Sequence, residues 1–333
     1  MSADAPHSTR LFLLRHGQSI PNTTGTIVSK IPAGGTAAAG LTPLGITQSM
    51  NAAAALLTRL APATTTSPSM QPPPVIYLRV VASPFSRTVD TAVALARGLL
   101  GVAGGGGAPR GDAAGGSGGG APNGVDADGG GGGGGGGGGS DSDGDDANGG
   151  DTGLVAHPWP DGEGVHVTLR LDGRLVERDF GEHDGARPAA AAYSRVWAAD
   201  AADCSGDGGI APAVSDGGGV GVESASTVAA RMVAATAAAV AEAWPPHPAE
   251  AGDGVCGGRG AGACGDARPP LRAVVMVGHG DPLQILATAW GGADPRRHRT
   301  AVTHLGNAEL RELPPRAMGA ADVKGSDAAA APV

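Results

Sequence analysis

The chain has 333 residues, 60 of them glycine, and a formal charge of −9 at neutral pH. By length it fits two domains, yet the glycines concentrate in stretches that no packed core can use, which leaves roughly 200 residues for a single α/β domain. The acidic balance argues against a nucleic-acid partner, which calls for a clustered basic face, and no run reaches the ~18 apolar residues of a membrane span.

Leu11 to Leu14 is an unbroken apolar run, the pattern of a strand buried on both faces, and it delivers Arg15-His16-Gly17-Gln18 to the strand's carboxyl end. Thr42-Pro43 then supplies a capping hydroxyl and a first-turn proline, and Ile46, Met50, Ala53, Leu57 and Leu60 recur at helical spacing behind them. A proline-rich linker, Pro62 to Pro74, separates this helix from a second buried strand, Val75 to Ala82. Ser83-Pro84 opens a helix that carries Arg87, Thr88 and Thr91 on to Leu99. From Gly101 to Gly164 the chain is mostly Gly, Ala, Asp and Ser, with an unbroken glycine run from Gly129 to Gly139. Such a stretch buries too little apolar surface to offset its chain entropy, and it reads as a disordered insertion.

His166 to Val176 alternates crudely and is broken at Asp172-Gly173, so one strand or a small hairpin leads into Glu177. Ala189 to Trp197 and Ser224 to Ala243 read as helices, and Arg272 to Gly278 as a strand followed by a helix from Pro282 to Trp290. Ala301 to Leu313 closes the sheet as an edge strand. Two smaller glycine-rich insertions, 203–219 and 245–270, and a tail over 316–333 complete the chain. Strands alternating with helices predict a three-layer α/β fold, a mostly parallel sheet with helices on both faces, over one domain spanning 9–315. Loop-closure cost grows only logarithmically with length, so such a domain tolerates all three insertions.

Cys204, Cys256 and Cys264 fall in the glycine-rich stretches at spacings that match no zinc pattern. An odd number of cysteines reads as reduced thiols and a cytoplasmic location.

Open parallel sheets bind ligands beyond the carboxyl ends of their strands, and Arg15-His16, Arg87, Glu177 and His279 each follow an expected strand end. Singly, each has a plain structural reading: a surface pair, a capping arginine, an ion-paired glutamate, a turn histidine. His279 lies between two glycines, which would let the backbone turn tightly and leave the imidazole open to a ligand. All four in this order are improbable by accident.

The strings LRHGQSIPN, LTPLG, ASPFSRTVDTA, LVERDFGEHDG, YSRVWAAD, GVES and VGHGDPLQIL together resemble the histidine phosphatase superfamily, in its phosphoglycerate-mutase-like branch. The form ERDFGEHDG followed by YSRVWAAD is similar to plant and algal members. The resemblance implies that His16 is a nucleophile forming a phosphohistidine and that Glu177 donates the proton. It further implies that Arg15, Arg87 and His279 surround the phosphoryl group, with Asn22 touching it from the first loop. The chemistry agrees: a neutral imidazole is nucleophilic, and two guanidinium groups offer permanent charge to phosphoryl oxygens. A carboxylic acid with a raised pKa can protonate a leaving alkoxide and then deprotonate water.

Glu182, a short loop further on, is a rival for the acid. Glu223 and Ser224 match a family segment that helix capping explains equally well, and Arg231 reads as structural. Mutases of the family carry adjacent arginines for the substrate carboxylate, where this chain has a separated Arg187 and Arg195, so water is the expected acceptor. The alternatives are mutase-type transfer and a non-catalytic phosphate-binding scaffold. A small phosphomonoester is the expected partner, with no nucleic acid or membrane, no cofactor and no metal. Substrate identity and oligomeric state stay open.

Overall fold

The computed structural model describes residues 9–61, 75–103, 164–203, 221–244 and 270–316. The bulk of the expected insertions, the proline-rich linker, residues 317–333 and all three cysteines lie outside the described residues.

In chain order the strands and α-helices are β1 (Arg10–Arg15), α1 (Ile20–Thr24), α2 (Ile31–Gly34), α3 (Pro43–Leu60), β2 (Ile76–Ala82), α4 (Ser86–Ala103) and β3 (Val165–Leu171). They continue with α5 (Ala189–Asp203), α6 (Ala225–Ala241), β4 (Leu271–Gly278), α7 (Gly280–Trp290), α8 (His298–Ala301) and β5 (Leu310–Leu313). The sheet runs β3-β2-β4-β1-β5, parallel throughout except for β5, which pairs antiparallel with β1.

Alternation along each strand builds two cores. Leu11 and Leu13 of β1 join Val274 and Met276 under α6 and α7, while Phe12 and Leu14 join Val80, Val275 and Val277 under α3 and α4. This is the expected mostly parallel α/β sheet covered by helices on both faces. Among the described residues, no helix is long and apolar enough to cross a membrane.

Several local expectations change. The Thr42 hydroxyl does cap α3, accepting from Gly45 N at 3.1 Å, but the buried face is Gly45, Ser49, Ala52, Ala53, Leu56 and Leu60. Ile46 and Met50 stand 44% and 43% exposed. The helix lies so close to the loop after β1 that small residues, not large ones, mark its inner side: a Cβ on Gly45 would fall 2.0 Å from the Gln18 carbonyl oxygen. The helix expected from Ser83-Pro84 begins at Ser86 and runs to Ala103, into the start of the expected insertion.

His166 to Val176 is no hairpin. It is the single edge strand β3, ended by a 3-10 turn over Gly173–Leu175, where the Asp172 carboxylate accepts from Arg174 N at 2.9 Å. Only Leu310–Leu313 of the last expected strand pairs, and residues 304 to 309 form a loop past the strand ends. Buried in the middle of β2, Arg79 donates to the carbonyls of Ala239, Glu242 and Ala243, satisfying the open C-terminal end of α6.

Candidate active site

Strand register places the first three groups. Arg15 pairs with Gly278, and Ala82 with Val277. Beyond them His16 N donates to Gly278 O at 3.0 Å and Ser83 N to Val277 O at 3.1 Å, so the chain leaves three neighbouring strands at one level. His16 is 2% exposed. Its Nδ1 lies 2.7 Å from Gly17 O. A carbonyl can only accept, so Nδ1 carries the proton and Nε2 keeps a lone pair. Burial, then the charges of Arg87 and Arg15, hold the imidazole well below its usual pKa and therefore neutral. Gly17 is required here for close approach, because a Cβ would fall 2.3 Å from Gly45 O.

Arg15 Nη1 donates to Leu305 O at 2.8 Å, and Arg87 Nη2 donates to Val28 O at 3.0 Å. Both side chains thus keep nitrogens for something else. Arg15 Nε, Arg87 Nη1 and Ser19 Oγ are buried without a hydrogen-bond partner among the described residues. Unpaired buried polar atoms are costly, by about 1–3 kcal/mol each, and three in one cleft mark a place where a ligand's acceptors belong. The cleft, about 130 Å³, is lined by Arg15, His16, Ser19, Asn22, Arg87 and Glu177, with Tyr193, Trp197, Asp281 and His304 among its further walls.

Glu177 arrives from the turn after β3. Arg231 holds that turn in place, donating to the carbonyls of Arg174, Val176 and Glu177 while paired with Glu223 at 2.8 Å. Arg178 N donates to Glu177 Oε1 at 3.1 Å, and Arg87 Nη2 stands 3.7 Å from Oε2. Burial pushes the carboxyl up to about 7. Arg87 opposes the shift and the Asp281 carboxylate adds to it. The rival Glu182 is exposed and outside the cleft lining.

His279 departs from expectation. Its imidazole is wholly buried, behind the cleft wall and not open to it. Arg87 Nε donates to its Nδ1 at 3.2 Å, which leaves Nε2–H to donate to Ser83 Oγ at 3.0 Å. The neighbouring glycines serve packing and not a turn, since neither has a left-handed φ. A Cβ on Gly280 would fall 2.8 Å from His304 Cε1 and 3.2 Å from Arg15 Cζ. His279 therefore orients Arg87, while its ring lies 5.5 Å from that of His16. Asn22 lines the cleft with Oδ1 accepting from Ser19 N at 3.1 Å, so its amide nitrogen is the group left to face a ligand.

Sequence reasoning missed a buried charge network beneath the site. Arg178 grips Asp200 through two bonds, 2.7 and 2.8 Å, and reaches Asp281 at 3.3 Å. Asp281 also accepts from Trp197 Nε1 at 2.8 Å and meets His298 Nε2 at 3.0 Å. Burial alone would raise its pKa, but His298 and Arg178 hold the carboxyl down to about 2. The five residues come from four segments, the turn after β3, α5, α7 and α8, and nothing local shows that they pair. Among the described residues no cluster of three or more His, Cys, Asp or Glu could hold a metal ion.

No protein-family model matches the chain, and no curated protein matches it. Among solved structures it is similar to a mycobacterial hydrolase, at 20% identity over 92% of this chain and 90% of that one, with a TM-score of 0.46. It is also similar to mycobacterial glucosyl-3-phosphoglycerate phosphatase complexed with VO3, at 21% identity over 92% and 93% of the two chains and a TM-score of 0.45. A third is YhfR of Bacillus stearothermophilus, at 13% identity over 92% and 90% and a TM-score of 0.44.

Proposed function

We propose that the chain is a histidine phosphatase that hydrolyses small phosphomonoesters through a phosphohistidine on His16. One observation carries this reading: a buried neutral histidine with its Nε2 lone pair retained shares a small cleft with arginine nitrogens that have no partner among the described residues and a carboxyl held near neutral pKa. Each part alone is commonplace; a nucleophile, an anion cradle and a proton donor within one cleft form a phosphoryl-transfer site.

In the first step His16 Nε2 forms a bond to phosphorus while the bond from phosphorus to the ester oxygen breaks. Glu177 gives its proton to the departing oxygen. In the second step a water oxygen bonds to phosphorus, the Nε2–P bond breaks, and the water's proton returns to Glu177. Arg15 and Arg87 carry the charge of the phosphoryl oxygens throughout, Asn22 contributes its amide, and His279 keeps Arg87 aligned. This arrangement supplies from guanidinium groups the positive field that Mg²⁺ supplies elsewhere, so turnover in the presence of EDTA is expected. Water is favoured as acceptor because Arg187 and Arg195 are both exposed and separate, with Arg187 engaged to Thr26 at 3.1 Å. The thiol reading adds a cytoplasmic location to the proposal.

The test is hydrolysis of p-nitrophenyl phosphate by the full chain and by His16→Ala. Turnover is expected to need His16 and to leave an acid-labile phosphoryl group on it during the reaction. Equal rates for the two proteins, or label on serine alone, would remove the proposal.

A further inference from the structure

The geometry points to His304 as a positioning residue for Arg15, through a hydrogen-bond chain that begins on α7. Gln284 is buried at the start of the chain, and its Nε2 donates to His298 O at 2.9 Å and Val302 O at 2.8 Å. Those carbonyls can only accept, so they fix the amide and turn Oε1 towards His304. Oε1 lies 3.2 Å from His304 Nδ1, and Arg299 Nη1 stands 3.1 Å from the same nitrogen; Arg299 already donates to Oε1 at 2.7 Å, so a proton on Nδ1 gives Oε1 a second donor and leaves both guanidinium groups with acceptors. Nε2 of the same ring is then an acceptor, and Arg15 Nη1 stands 2.9 Å from it. The contacts thus favour the tautomer of His304 that satisfies Gln284 and, with it, an acceptor that aims the Arg15 guanidinium.

The second observation is the fit around this pair. Gly280 faces both His304 Cε1 and Arg15 Cζ at distances that a Cβ would violate, so the loop holding His304 is packed directly onto the arginine. The two bonds of Arg15 Nη1, to Leu305 O and His304, lie on its loop side, while Nε, without a partner among the described residues, is left for the ligand. Arg299, stacked 3.8 Å over the Trp197 ring and bonded to Gln284 Oε1 at 2.7 Å, adds a positive charge beside the ring. The part of the His304 ring shielded by its neighbours, together with the charges of Arg15 and Arg299, brings its pKa down to about 4 and keeps it neutral, so it can go on accepting.

This inference rests on the phosphate-cleft reading, and two readouts keep their failures apart: hydrolysis of p-nitrophenyl phosphate, and calorimetric binding of inorganic phosphate. His304 is exposed at the cleft mouth, so its bond competes with water and His304→Ala should lower kcat/KM about tenfold and weaken phosphate binding, with an unchanged Tm. His304→Gln, whose Oε1 can accept from Arg15, should recover most of the loss. In an Arg15→Ala background His304→Ala should have no further effect. A wild-type protein that binds phosphate without hydrolysis, with binding weakened by His304→Ala, keeps this inference and discards the phosphatase reading. Hydrolysis unaffected by His304→Ala, or an equal tenfold loss in the Arg15→Ala background, would overturn it, as would a wild-type chain that does not bind phosphate.

Discussion

At the scale of single residues, Glu177 is held in the state its proposed role needs at a cost to the fold. Its folded pKa of about 7 lies above the unfolded value of 4.5. Between those values the folded chain holds a proton that the unfolded chain has lost, so stability falls as pH rises. The whole penalty, about 3 kcal/mol, is present above 7. Glu177→Gln should therefore raise Tm above pH 7, change it little near pH 4.5, and cut turnover severely. A Tm that does not move with this substitution at high pH would contradict the buried, protonated carboxyl. The same proton sets the rate profile: kcat/KM should decline above about 7 as the acid is lost, while the acid limb, from protonation of His16, lies well below 6.5. Arg15 and His16 were legible because they sit at or just after an apolar strand, where a polar side chain is conspicuous, whereas Glu177, past the turn that follows the mixed strand β3, stood out only through the resemblance of its segment. His279 was legible as a histidine at a strand end but not as one buried against Arg87, since flanking glycines look alike whether they serve a turn or close approach. His304 was not legible as a partner of Arg15, because the two lie 289 positions apart in the chain.

Secondary-structure elements fix those residues by the way they meet. Gly17 and Gly45 let the loop after β1 touch the first turn of α3, and Gly17 N donates to Thr91 Oγ1 of α4 at 3.1 Å. An alanine at 17 would drive a Cβ against backbone, which cannot yield as a side chain can, so Gly17→Ala should cost about 1–3 kcal/mol and abolish turnover. Full activity in that variant would show that the approach is less tight than it is here. The strands were legible from their apolar runs, whereas the inner face of α3 was not. Large apolar residues were a poor guide where backbone-to-backbone proximity admits only Gly, Ser and Ala. Arg79 makes the complementary point: within the run Ile76–Ala82 an arginine is an anomaly until α6 is seen to end on it. Asp281 ties α5, α7 and α8 through Trp197, Arg178 and His298, and its depressed pKa has the opposite sign from that of Glu177. The stability it contributes is present above 3.8 and lost as pH falls through about 2. Asp281→Asn should cost about 2 kcal/mol at neutral pH, with the difference from the native chain closing in acid, as a Tm series would show.

On the scale of the whole molecule, the glycine-rich stretches sit where the topology asks for very little chain. β2 and β3 are parallel neighbours, and α4, which packs on β3, is the crossover between them. The return from Ala103 to Gly164 does a task that a handful of residues performs in most α/β units. The same holds between α6 and β4, which flank the segment from 245 to 269. Composition marked these stretches as surplus to a core, and the element order marks them as surplus to the topology. We propose on both grounds that the described elements are one interrupted domain. Replacing residues 104–163 by about ten residues of Gly and Ser should leave kcat/KM unchanged, because the cleft residues among those described come from other segments. It should also raise stability by about 1–2 kcal/mol through a lower closure entropy, a gain that denaturant unfolding would resolve. A shortened chain that unfolds more readily, or loses turnover, would mean that the segment contributes contacts of its own, and the single-domain proposal would fall with it.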